Sequence, residues 1–174
     1  WFGGDTKDFP LLVRLDASIP DFDYATFASP SGDDLRFFAS TGQELAYEIE
    51  NWDVAGYSRI WVKVPEVSGN DTTISAAWGN SFAANSPPYA NDGSVWSNGY
   101  SGTWHFTDMP ADTFIDSTSS ANHAVSQGAT LDANGRIGPA AKFNGTVHWL
   151  DPIQGVFVPA SDLPVQVHIE WTRN

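Results

Sequence analysis

Residues 44–50 read Glu-Leu-Ala-Tyr-Glu-Ile-Glu, and residues 59–64 read Arg-Ile-Trp-Val-Lys-Val. In the first stretch Leu45, Tyr47 and Ile49 alternate with Glu44, Ala46, Glu48 and Glu50. Successive side chains of a strand point to opposite faces, so this period of two predicts a strand with one buried and one wet face. In the second stretch Ile60, Val62 and Val64 share one face, while Arg59, Trp61 and Lys63 share the other. Working outward, short apolar bursts recur at Leu11–Leu15, Leu35–Ala39 and Thr72–Trp78, each bounded by Pro, Gly, Asp or Asn. They resume later at Gly102–Phe106, Ala140–Phe143, Thr146–Leu150, Gly155–Val158 and Val165–Trp171. No stretch of about twelve residues keeps a helical period without Gly or Pro. One short helical turn fits near Asp21–Phe27. The reading is all-β: an antiparallel, jelly-roll-like β-sandwich.

Residues 80–99 (NSFAANSPPYANDGSVWSNG) change character and are rich in Asn, Ser and Pro. This predicts an inter-domain connector anchored by Phe82, Tyr89 and Trp96. The plainer alternative is one long surface loop inside a single domain. With the connector, the chain divides into two tandem β modules, 1–96 and 97–174, the second incomplete. A length of 174 residues accommodates two small modules.

Composition narrows the partners. Eight Lys and Arg stand against 21 Asp and Glu, a net charge of −13, which argues against tracking nucleic-acid phosphates or an anionic membrane surface. No apolar run approaches the roughly 18 residues that span a bilayer, so membrane insertion is not expected. There is no cysteine, hence no disulfide framework, thiolate metal site or thiol nucleophile. The chain opens at Trp1 without a basic, then apolar, leader, so a mature or excised piece is expected.

Four segments in order, 9–16 (FPLLVRLD), 33–53 (DDLRFFASTGQELAYEIENWD), 58–68 (SRIWVKVPEVS) and 72–80 (TTISAAWGN), resemble the DUF2341 family of bacterial extracellular modules. Three more, 95–108 (VWSNGYSGTWHFTD), 114–124 (FIDSTSSANHA) and 134–145 (NGRIGPAAKFNG), are similar to the opening of a concanavalin A-like (laminin-G-like) jelly roll. The resemblance implies a secreted or cell-surface protein and a non-catalytic role in binding a polysaccharide or in adhesion. It carries no binding residue over. Only Trp1–Gly4 precede Asp5, where the family usually has a further strand, and the second part is shorter than a full jelly roll. A fragment, a processed chain completed by a second polypeptide and a compact variant all remain open. An unfinished sandwich would expose strand edges to another chain, so a structural or assembly subunit is the alternative function.

Candidate chemistry follows from residue type and spacing. A pyranose offers an apolar C–H face to aromatic rings and hydroxyls to charged groups, so Trp61 with Arg59, and Tyr57 and Trp52 nearby, form the candidate ligand platform. Glu48, Glu50 and Asp53 resemble the strand-borne acids of laminarinase- and agarase-type glycosidases. Same-face neighbours on a strand lie about 6.6–7 Å apart, near the ~5–5.5 Å between carboxyl groups that retention requires. The plainer reading is a solvated strand face within a module motif. For calcium, Asp116 is the first candidate, with Asp132 and Asn134 in an Asp-Ala-Asn-Gly turn. Such turns also form without metal. His105, His123, His148 and His168 match no short zinc spacing. No Gly-x-Ser-x-Gly elbow occurs.

Overall fold

The computed structural model describes residues 6–68, 72–107, 109–144 and 146–152. The strand expectations at Gly155–Val158 and Val165–Trp171, and the His168 reading, lie outside the described residues. The chain divides into two compact units, Trp1–Asn98 and Gly99–Asn174. The described residues contain strands and short 3-10 turns, with no α-helix.

The first unit has six strands: β1 (Thr6–Asp16), β2 (Arg36–Ala39), β3 (Glu44–Leu45), β4 (Tyr47–Asn51), β5 (Tyr57–Val67) and β6 (Ile74–Ala77). They form two antiparallel sheets, ordered β1-β5-β4 and β3-β2-β6. The alternating stretch from Glu44 to Glu50 serves both sheets. It changes sheet at Ala46, whose carbonyl still accepts the Lys63 N–H at 2.9 Å. Leu45 and Tyr47 therefore enter one core from different sheets. That core comprises Leu15, Phe22, Leu35, Phe37, Leu45, Tyr47, Ile60, Val62, Val64 and Ala90. Burial pushes the Tyr47 phenol up to about 12, against the opposing pull of Arg36, which donates to its oxygen at 3.4 Å.

The β1–β5 register aligns Leu11 with Val62, Val13 with Ile60 and Leu15 with Ser58 on the core face. Proline falls twice in this pair and is accommodated each time. Pro10 lies in β1, an edge strand, where no neighbour needs its N–H on the outer side. Pro65 cannot donate to the ladder, and Asp8, opposite it, leaves the extended region at φ 49°.

An aromatic cluster flanks this core. The expected helical turn is a 3-10 turn at Tyr24–Thr26, capped by the Asp23 carboxylate on Ala25 N–H. Tyr24 donates its hydroxyl proton to the Leu15 carbonyl at 2.7 Å, which ties the turn to β1. Phe27 stacks on Trp78 at 5.3 Å and meets Trp52 edge-on at 4.9 Å. Trp52 donates to the Pro30 carbonyl at 2.9 Å, and its six-membered ring lies over Gly32. A Cβ on Gly32 would stand 2.6 Å from that ring, at a backbone φ of +75°. Gly32→Ala therefore combines left-handed strain with a clash. We expect it to destabilise the unit by roughly 2 kcal/mol, read as a lowered denaturation midpoint. An unchanged midpoint would contradict this packing.

Residues 80–98 belong to the first unit and are not a free connector. Trp96 is 4 % exposed and Val95 1 %, and Tyr89 meets Tyr47 edge-on at 5.8 Å. Phe82, expected as an anchor, is instead fully exposed. The anchoring is polar: Arg36 donates to the carbonyls of Ala83 and Asn85, and Ser86 donates to Asp33 at 2.6 Å.

In the second unit, β7 (Thr113–Phe114), β8 (Ala124–Gln127) and β11 (Trp149–Pro152) form a sheet ordered β11-β8-β7. A hairpin pairs β9 (Thr130–Asp132) with β10 (Ala140–Lys142). Its core includes Phe114 and Ala124, with Phe106 edge-on to Phe114 at 5.0 Å. The expected strand at Gly102–Phe106 is reduced to a single bridge between Trp104 and Asp116. Phe106 turns left-handed at φ 57°, which ends extended backbone there.

Candidate functional site

The outer face of β1-β5-β4 collects most of the first unit's chemistry-bearing side chains. Register aligns Trp61 with Leu12 on β1 and Glu48 on β4, and Arg59 with Arg14 and Asn51. Between Ile49 and Asn51 the pairing shifts, so Glu50 is the extra residue of a β-bulge. The bulge swings its carboxylate across the face. One oxygen accepts from Arg59 Nε at 2.6 Å and the other from Trp61 Nε1 at 2.7 Å. This ion pair is nearly sealed, with side chains 3 % exposed for Glu50 and 8 % for Arg59.

The face has a covered end and an open end. At the covered end the 3-10 turn Ser94–Trp96 lies over it. Trp96 tilts against Trp61 at 5.4 Å and donates its indole proton to Glu48. Lys63 donates to Ser97 at 2.8 Å and approaches Asp8 at 3.6 Å. At the open end stand Tyr57 and Arg14. The Arg14 guanidinium lies 3.9 Å over the Tyr57 ring, and Arg59 reaches the same ring at 5.7 Å.

Of the four ligand candidates, the structure brings Trp61, Arg59 and Tyr57 together on this face. Trp52 is placed elsewhere, in the aromatic cluster beside the core, because the bulge separates it from the outer-face alternation of β4. Arg14 joins the group, although the sequence reading passed over it. Its signal was available: Leu11–Leu15 alternates, and Arg14 is the charged member of its outer set.

Glu48, Glu50 and Asp53 do not converge on one cleft. Glu48 and Glu50 are held by different tryptophans. Asp53 turns away to accept from Ala55 N–H at 2.9 Å and Gly56 N–H at 3.0 Å. That is a turn closed by a side-chain carboxylate.

Asp116, the first calcium candidate, is a buried hub. Its two oxygens accept from Thr103 N–H, Thr118 N–H, the Thr118 hydroxyl and Asn122 N–H at 2.6–2.9 Å. These four donors match the four acceptor positions of an ionised carboxylate. Asp132 accepts from the backbone N–H of Asn134 at 2.9 Å and closes the β9–β10 turn. Among the described residues no three His, Asp or Glu side chains are grouped to hold a metal ion.

Asp34 plays a comparable part in the first unit. It is 1 % exposed and accepts from Ala28 N–H at 3.0 Å, Ser29 N–H at 2.9 Å and Gly79 N–H at 2.6 Å. Burial pushes its carboxyl up, but the backbone donors together outweigh burial and hold it below its ordinary value.

Comparison with curated proteins and with solved structures finds no match. One family's sequence model matches residues 31–121, described as "Domain of unknown function (DUF2341)". The match takes in the Asp34 hub, the bulged strand β4, the whole of β5 and the turn over Trp61. It continues past residue 99 to the Asp116 hub, and so covers the 95–108 segment and most of 114–124. Spanning over half of the sequence, it establishes that the chain belongs to the DUF2341 family.

Proposed function

We propose that the first unit is a non-catalytic module that binds a polysaccharide, or mediates adhesion through one, outside the bacterial cell. The observation that carries the reading is the open end of the outer face. There Tyr57 is only half-buried and lies beside the exposed Arg14 and beside Arg59, which the Glu50 bulge holds in a fixed position. Rigid rings flanked by oriented polar groups suit a sugar, which needs an apolar contact and hydroxyl partners together. The acids Glu48, Glu50 and Asp53 are engaged with separate donors, which favours binding over bond cleavage. Calcium is not required by this reading. The similarity of residues 97–174 to the opening of a concanavalin A-like jelly roll fits the same extracellular role, supported by the β9–β10 hairpin within it.

Affinity electrophoresis through polysaccharide gels tests the proposal. Retardation is expected in at least one gel, and Tyr57→Ala should weaken it about tenfold or more. Absence of retardation across neutral and acidic polymers would end the reading, as would release of reducing ends by the unmodified protein.

A second reading, assembly with another chain, draws on the second unit. Leu131, Ile137, Phe143 and Val147 there are each 38 % exposed or more. Light scattering discriminates: a monodisperse monomer across concentration would count against assembly.

A further inference from the structure

Arg14 and Arg59 lie directly opposite each other on adjacent strands. Like charges so placed destabilise a sheet unless something offsets them. Glu50 neutralises Arg59 through the sealed ion pair, and the Tyr57 ring takes both guanidiniums on its π-system. Nothing comparable neutralises Arg14. It is exposed, and among the described residues it makes no hydrogen bond or ion pair. The carboxylate two residues along its own strand, Asp16, exerts a Coulombic pull on it but forms no ion pair with it, being hydrogen-bonded by the backbone N–H and hydroxyl of Ser18. A cation thus lies 3.9 Å over an aromatic ring, and among the described residues its N–H groups make no hydrogen bond.

We propose that Arg14, seated on Tyr57, is an oxyanion subsite that takes the carboxylate or sulfate group of an acidic polysaccharide. The guanidinium fork matches two oxygens of such a group, and the contact with Tyr57 holds the cation in place before the ligand arrives. The half-buried Tyr57 then meets the sugar ring beside the charged substituent. The inference rests on the polysaccharide-binding reading and narrows it to acidic polymers. The protein's net charge of −13 gives no diffuse attraction for a polyanion, and salt screens charges more than the Debye length of ~8–10 Å away, so the contact must be local.

Paired gels test it: polygalacturonate against its methyl-esterified form for a carboxylate, and carrageenan against unsulfated agarose for a sulfate. The expected result is retardation in one charged gel and little in its neutral counterpart. Arg14→Gln should weaken that retardation about tenfold or more, with an unchanged melting transition. Arg14→Lys should restore it only in part, since a point charge lacks the planar fork. Equal retardation in charged and neutral gels, or full retardation of Arg14→Gln while Tyr57→Ala loses it, would overturn the oxyanion subsite and leave the polysaccharide reading intact. No retardation in any of the four gels, nor in a wider set of neutral polymers, would overturn both.

Discussion

Asp34→Ala is expected to destabilise the first unit by on the order of 3 kcal/mol or more. Three backbone N–H groups lose their acceptor at once: Ala28 and Ser29 in the loop before β2, and Gly79 at the end of β6. The site is 1 % exposed, so water cannot replace the carboxylate without opening the structure. Asp34→Asn should cost less, because the amide oxygen keeps part of the acceptor capacity while its NH2 faces donors. Acid provides an independent readout. The folded carboxyl lies below its ordinary value, so below that ordinary value the unfolded chain binds the proton more readily than the native one. Stability from Asp34 is therefore complete above the unfolded value and is lost as pH falls through the folded one. Chemical denaturation at a series of pH values between about 2 and 6 should show a steeper acid loss for the unmodified protein than for Asp34→Asn. Parallel curves would remove Asp34 from the stability of the fold.

What the sequence disclosed, and what it hid, follows from the range of each signal. The period-two pattern is local, so β5 was legible with both faces correctly assigned, and so was the outer grouping of Arg59, Trp61 and Lys63. The change of sheet at Ala46 was not, because alternation continues through it unbroken. The bulge at Glu50 likewise leaves no local mark. It nevertheless decides the site, since it sends Glu50 between Arg59 and Trp61 and turns Trp52 toward the core. Polar composition misled the reading of 80–99: Asn80 there caps a turn, while Arg36 holds the Ala83 and Asn85 carbonyls and Asp33 the Ser86 hydroxyl from distant sequence. In the second unit the strands β7, β8 and β9 run two to four residues, too short for a period to stand out. Asp116 had the right chemistry for a cation, yet the neighbours that saturate it include Thr103, brought in across the Trp104 bridge. Arg14 was legible as the charged outer-face member of Leu11–Leu15, but its partners are defined by cross-strand register, which one strand's sequence does not contain.

Removing the Glu50 carboxylate is the second large effect. Glu50→Ala leaves the Arg59 guanidinium in a site where its side chain is 8 % exposed, without its counter-ion, and takes the acceptor from the Trp61 indole. Breaking one partner of a buried ion pair costs about 3–5 kcal/mol, because the remaining charge stays desolvated. Here Arg14 adds to the cost, since its charge then faces an unneutralised Arg59 directly across the ladder. Two consequences separate this account from a simple loss of packing. Glu50→Ala combined with Arg14→Gln should recover part of the stability, though Arg14→Gln alone changes it little. Glu50→Leu combined with Arg59→Met should approach the stability of the original pair, as apolar replacements of buried pairs do. Urea denaturation of Glu50→Ala, Arg14→Gln and their combination, read as a double-mutant cycle, measures the first coupling; adding the single variants Glu50→Leu and Arg59→Met to their combination measures the second. A loss below ~1 kcal/mol for Glu50→Ala would mean that water reaches Arg59. In that case the covered pair would not set Arg14 apart as a cation without an ion-pair partner among the described residues of this face, and the acidic-polymer subsite would lose its electrostatic basis.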